Sequence, residues 1–140
     1  MEAINTFLLC QGVVKKAAPQ LDSAAKSLIG SILAVNTRNY ELLETFFTDD
    51  IMVYQVEDQA YISGLPRVMQ FFRSRPDMQF ELTNHINWTP PSWPTRASGV
   101  ALSTTKNHTA AQVTFDVSFD PDNFKIRSIN VDHADARDRT

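Results

Sequence analysis

A chain of 140 residues with 43% apolar and 21% charged side chains is proportioned for one globular domain, and it contains no apolar run near the ~20 residues that cross a bilayer. Its net charge of −3, with no stripe of Lys or Arg, argues against nucleic acid as a partner, because phosphate backbones are bound by basic side chains that release counterions. Cys10 is the single cysteine, which excludes an internal disulfide or a thiolate cluster and fits a reducing compartment; with no basic stretch before Phe7-Leu8-Leu9 to suggest a leader, a cytoplasmic location is expected.

In chain order, residues 3 to 17 carry a loosely helical pattern (Ile4, Phe7, Leu8, Val14) that Pro19 is expected to end, so 1–22 reads as an accessory N-terminal helix. Asp22 or Ser23 is a candidate N-cap for a second helix, in which Ala25, Leu28, Ile29 and Ile32 mark one buried face. After the break at Asn36-Thr37-Arg38-Asn39, the residues Tyr40, Leu43, Phe46 and Phe47 restore helical spacing. Thr48-Asp49-Asp50 reads as a polar turn into the strand Ile51-Met52-Val53-Tyr54. Gly64 precedes a helix of about ten residues with Pro66 in its first turn, stopped at Arg75-Pro76. The remainder reads as strands over 78–88, 97–105, 109–119 and 124–133, with a proline-dense loop at Thr89-Pro90-Pro91-Ser92-Trp93-Pro94 and a turn at Asp120-Pro121-Asp122-Asn123. Residues 134–140 are a polar tail. This order defines an α+β layout, with helices packed on one face of a curved antiparallel sheet.

The run Asn39-Tyr40-Glu41-Leu42-Leu43-Glu44-Thr45-Phe46-Phe47-Thr48-Asp49-Asp50-Ile51-Met52-Val53-Tyr54, then Gly64 and Val68-Met69-Gln70-Phe71-Phe72, resembles the first half of the nuclear-transport-factor-2-like superfamily. Through Phe115-Asp116-Val117-Ser118-Phe119-Asp120 and Lys125-Ile126 the likeness extends over residues 23 to 133. The resemblance implies one cone-shaped α+β barrel, with a sheet wrapped around three helices and open at one end onto an apolar cavity. It also implies a homodimer through the sheet. The superfamily includes ketosteroid isomerase, scytalone dehydratase, limonene epoxide hydrolase, SnoaL-like polyketide cyclases and members without catalysis, so the fold alone leaves the chemistry open.

Strand alternation assigns faces independently of family. In 78–88, Met78, Phe80, Leu82, Ile86 and Trp88 share a parity with Asn84, so Asn84 is expected inward, where its amide hydrogen-bonds backbone or meets a ligand. His85 takes the opposite face. Val53, Gln55 and Glu57 share a parity on the first strand, and a rim glutamate with a raised pKa suits a general acid or base; the plainer alternative is a solvated turn carboxylate beside Asp58. Val113, Phe115, Val117 and Phe119 form the inner side of 109–119, leaving Thr114, Asp116 and Ser118 outside. In the last strand Phe124 and Ile126 have one parity and Ile129 and Val131 the other, as a β-bulge near Arg127-Ser128 would produce. Past that slip His133 joins Val131 on the inner face and Asp132 turns out, which separates the ligand types in Asn130-Val131-Asp132-His133-Ala134-Asp135 and makes a metal site improbable.

Against the ketosteroid isomerase pattern, the general-base position holds Gln55, and the oxyanion positions fall near Ser31 and Phe115, so that chemistry is lost in its known form. The Asp-Arg-Asp group of limonene epoxide hydrolase has no counterpart on the predicted strands, and scytalone dehydratase's second cavity histidine is missing. The expected function is a cofactor-free isomerase, cyclase or dehydratase of secondary metabolism. Its substrate would be a small apolar polyketide- or terpenoid-like molecule. His133 and Glu57 would transfer protons, with Gln55, Asn84 and Ser31 as polar contacts and Val53, Phe72, Phe80, Trp88, Phe115 and Val131 as the apolar wall. A non-catalytic ligand carrier and a protein-interaction module are the alternatives.

Overall fold

The computed structural model describes residues 19–55, 60–91, 93–104 and 110–133. Helix α1 (Pro19–Asn36) buries Leu21, Ala24, Ala25, Leu28, Ser31 and Val35, the stripe expected of a helix lying on a sheet. It includes Pro19 and Asp22, so residues 19–22 belong to this helix rather than to the accessory segment; proline is tolerated in a first turn because the N–H it lacks has no intrahelical partner there. The rest of that segment, 1–18, lies outside the described residues. The helix stops where Arg38 takes a left-handed φ of 61° and the Asn39 N–H donates to the Ala34 carbonyl at 2.8 Å, a Schellman-type closure.

A 3₁₀ turn (Tyr40–Leu42) and the single turn α2 (Leu43–Phe46) lead into β1 (Phe47–Gln55). The strand thus starts earlier than expected, and Thr48, Asp49 and Asp50 are strand residues, not a turn. Phe47 and Thr48 are both buried and Asp49 and Asp50 both exposed, an irregularity that disguises the alternation. A short strand with no counterpart in the sequence reading, β2 (Ala60–Ser63), pairs back on β1. Gly64, at φ 93°, turns the chain into α3 (Leu65–Arg73), whose buried side carries Val68, Met69, Phe71 and Phe72.

Strands β3 (Gln79–Thr89), β4 (Arg96–Thr104), β5 (Ala110–Phe119) and β6 (Ile126–His133) form the expected meander, displaced by one or two residues at their ends. The sheet order is β2-β1-β6-β5-β4-β3. The expected α+β cone is what the chain forms, with one amendment: β1 and β6 are parallel, because the chain crosses back over the sheet between them. The anticipated bulge is present. Ser118 pairs with Ser128 but Phe119 with Ile126, which leaves Arg127 as the surplus residue.

Register fixes height along the cone as well as face. Gln55 pairs with both Ala60 and Val131, Val113 with His133, and Thr104 with both Gln79 and Ala110, so these residues ring one end. At the other end Thr89 pairs with Arg96 and Phe119 with Ile126, itself beside Phe47. There Trp88 stacks on Phe119 at 6.2 Å between centroids and Trp93 meets Phe124 edge-on at 5.8 Å, closing the cone with aromatic rings.

Candidate functional site

Between α1, α3 and the concave face of the sheet lies a cavity of about 80 Å³. Helix α1 supplies Leu28, Ser31, Ile32 and Val35 to it; β1 supplies Phe47, Val53 and Gln55; α3 supplies Phe71 and Phe72. Met78, Phe80 and Leu82 form the β3 side, and Val113, Phe115 and Val117 of β5 with Ile126, Ile129 and Val131 of β6 form the opposite wall. Ile126 and Ile129 reach the same cavity from positions of opposite parity because Arg127 is surplus.

Seven of the sequence-derived positions are thereby brought together: Ser31, Val53, Gln55, Phe72, Phe80, Phe115 and Val131. Trp88 is a correction. It has the inward parity but sits at the closed end against Phe119, beyond the cavity wall, because alternation specifies a face and says nothing of height. Ser31 is buried and its hydroxyl donates to the Leu28 carbonyl at 2.8 Å, a bond made within the helix. Glu57 lies outside the described residues, as does His108. The side chains of Asn84, His85 and His133 lie outside them too; the backbone of His133 ends β6 opposite Val113, a cavity-lining residue. Asn84 falls in a further irregularity, where three residues of β3 between Leu82 and Ile86 oppose one of β4.

Sequence reasoning missed Phe71, and with it Leu28, Ile32 and Val35 as cavity rather than plain core. The signal was the helical spacing itself, which marks an apolar face without showing whether it meets atoms or a void. Among the described residues the lining carries no titratable side chain, and no group of three or more His, Cys, Asp or Glu is placed to hold a metal ion. No described helix is long and apolar enough to cross a membrane.

On the outer face Arg96 forms an ion pair with Asp116, and the Ser118 and Ser128 hydroxyls meet at 2.5 Å. The Thr48 hydroxyl, aided by the Arg127 guanidinium at 3.6 Å, holds the Asp50 carboxyl below the usual aspartate range. Met52 and Tyr61 stand exposed beside them.

No protein-family model and no curated protein matches the sequence. Solved structures do match its shape. An NTF2-like protein of unknown function from Cytophaga hutchinsonii superposes with a TM-score of 0.67 at 10% identity, over 84% of this chain and 95% of that one. An LEH-like epoxide hydrolase from M. tuberculosis gives 0.65 at 13% identity, over 81% and 80%. SalBIII, an epoxide hydrolase/cyclase-like enzyme in pyran ring formation in the polyether salinomycin, gives 0.65 at 13% identity, over 79% and 90%. The chain therefore has the nuclear-transport-factor-2-like fold.

Proposed function

We propose that the protein is a cofactor-free acid–base enzyme, an isomerase, cyclase or dehydratase, acting on a small apolar molecule held in the cone. The observation that carries this reading is the apolar cavity with a polar Gln55 in its lining, at the end of the cone where β6 reaches His133. His133 is the proposed proton-transfer group and Glu57 its complement. Gln55 and Asn84 would hold a carbonyl or hydroxyl against the apolar wall of Val53, Phe72, Phe80, Phe115 and Val131. Structural neighbours that include a cyclase-like enzyme and an epoxide hydrolase support chemistry on such a scaffold.

Volume constrains the guest. An apolar cavity of about 150 Å³ takes up benzene, and drug-sized ligands need ~300–1,000 Å³. At about 80 Å³ the interior holds only part of a polyketide- or terpenoid-like molecule. Cyclopentanone is a suitable probe. Exchange of its α-hydrogens in D₂O should run faster with the protein than in buffer, and should fall by ~10²-fold or more in His133→Ala and in Glu57→Gln, the usual worth of general acid–base catalysis. Exchange no faster than in buffer would leave the second reading, a ligand carrier with the same apolar cavity. A homodimer through the outer sheet face belongs to the same proposal; exposed Met52 and Tyr61 support it, and light scattering would return twice 15.8 kDa.

A further inference from the structure

Outside the cone, between β2 and α3, runs an open groove of about 450 Å³ lined by Tyr61, Ile62, Arg67, Gln70, Phe71 and Ser74. Among the described residues Phe71 is the one side chain that lines both this groove and the internal cavity. It is 7% exposed and packs edge-on against Phe72 at 5.2 Å. The Arg75 guanidinium carbon lies 4.0 Å from the Phe71 ring centroid. Arg75 also donates to the Phe71 carbonyl at 3.3 Å and to the Ser74 hydroxyl at 3.1 Å. A single aromatic ring, latched by an arginine, thus separates an apolar interior from a polar exterior.

The exterior is cationic in a chain whose net charge is negative. Arg67 on the groove wall and Arg75 beside it stand exposed, and Asp77, two residues past Arg75, faces Arg38 at 3.8 Å. Arg67 and Arg73 have no ion-pair partner among the described residues. Arg67 lines the groove and Arg75 bonds to Ser74, which lines it too, so an anion in the groove would accept charge-assisted N–H bonds from both. Tyr61 and Gln70 add polar contacts beside them.

We propose that the groove is the head-group half of the ligand site and that Phe71 is the gate through which a guest's apolar part enters the cone. The ligand class is an anionic amphiphile: a short hydrocarbon portion sized to the cavity, bearing a carboxylate or phosphate that Arg67 and Arg75 bind outside. This rests on the cavity being a ligand site, and is independent of whether His133 performs chemistry. It also accounts for an interior too small to contain a whole substrate.

The test uses hexanoate, hexyl phosphate and 1-hexanol, which share a tail, with the full chain at low salt by calorimetry and amide NMR. Hexanoate or hexyl phosphate should bind at least tenfold more tightly than hexanol, with shifts at Gln70 and Ser74, and the two anions show which head group is preferred. In Arg67→Gln/Arg75→Gln the preference, taken as the ratio of anion to hexanol affinity within that variant, should fall to within twofold, and in the unaltered chain it should weaken with added salt. Phe71→Ala should speed hexanol entry and Phe71→Trp slow it. Equal affinity for hexanol and the anions, or a preference that survives the double substitution, overturns the proposal and leaves the acid–base reading standing. Binding of none of the three overturns both.

Discussion

The carboxamide of Asn36 is bonded twice to the backbone of Phe80: its Nδ2 donates to the Phe80 carbonyl at 2.8 Å and its Oδ1 accepts the Phe80 N–H at 2.9 Å. The last residue of α1 therefore does for β3 what a further strand would do, at the free edge of the sheet. It also ties helix to strand between Val35 and Met78, which line the cavity.

Asn36→Ala leaves both Phe80 backbone groups without that partner. The expected loss is about 1–3 kcal/mol per buried orphan, toward the lower end because the pair is part-buried. Asn36→Asp keeps an acceptor for the N–H but faces the carbonyl with a carboxylate, so it should not rescue stability. Urea denaturation measures the loss, and hydrogen exchange at the Phe80 amide localises it; unaltered exchange there in Asn36→Ala would count against the tie.

Gly30 lies under the Phe46 ring, and a Cβ at that position would fall 2.7 Å from the ring's Cε1. Replacing a helical glycine by alanine gains about 1 kcal/mol of propensity, whereas overpacking costs about 1–3 kcal/mol. Gly30→Ala should therefore destabilise on balance. In a Phe46→Leu background the same change should become neutral or favourable, and a double-mutant cycle with no coupling would refute the contact.

Filling the cavity should exchange binding for stability. Ala101, 4% exposed and on the cavity wall, accepts β-branched volume in a strand. Ala101→Val is expected to add about 0.5–2 kcal/mol and to weaken hexanol binding. Thermal unfolding and calorimetry on the same preparation give both numbers; a destabilised variant would mean that the wall cannot take the extra methyl groups.

Asp50 supplies a pH signature. Its carboxyl is held below the aspartate range in the folded chain, first by the Thr48 hydroxyl, so its favourable contribution is present above the unfolded pKa of ~3.9 and is lost as pH falls through the lower folded value. The side chain is well exposed, so the effect is small. Carboxyl NMR should show a midpoint below ~3.9 that moves up in Thr48→Val. A midpoint unmoved by that change would assign the shift elsewhere.

Faces were legible in the sequence, and heights were not. Parity placed Val113, Phe115 and Val117 inside and Asp116 outside, and the switch from Ile126 to Ile129 announced the bulge at Arg127. The same rule misplaced Trp88, because height depends on register with a partner strand that no local pattern encodes. Strand β2 escaped because four residues, of which Tyr61 and Ile62 alone have strong strand preference, give alternation too little length. Asp49 and Asp50 look like turn residues, yet pairing carries them into β1. The groove did leave a trace in the helical spacing of Arg67, Gln70, Phe71 and Ser74, which has meaning only once β2 supplies the opposite wall.

The surplus residue in β6 sets a corner. Because Ser128 already pairs with Ser118 and Ile126 with Phe119, removing Arg127 would keep every partner on both sides and would merely let the strand run straight. What would change is curvature, since a bulge bends and twists the strand that carries it. The neighbouring strand is irregular at the same level, between Phe47 and Met52, and Arg127 reaches across to Asp50 within that stretch. The width of the lumen is thus written in chain length at one position as much as in the side chains that line it. Gaining or losing a single residue there would resize the interior for a different guest without altering one wall residue.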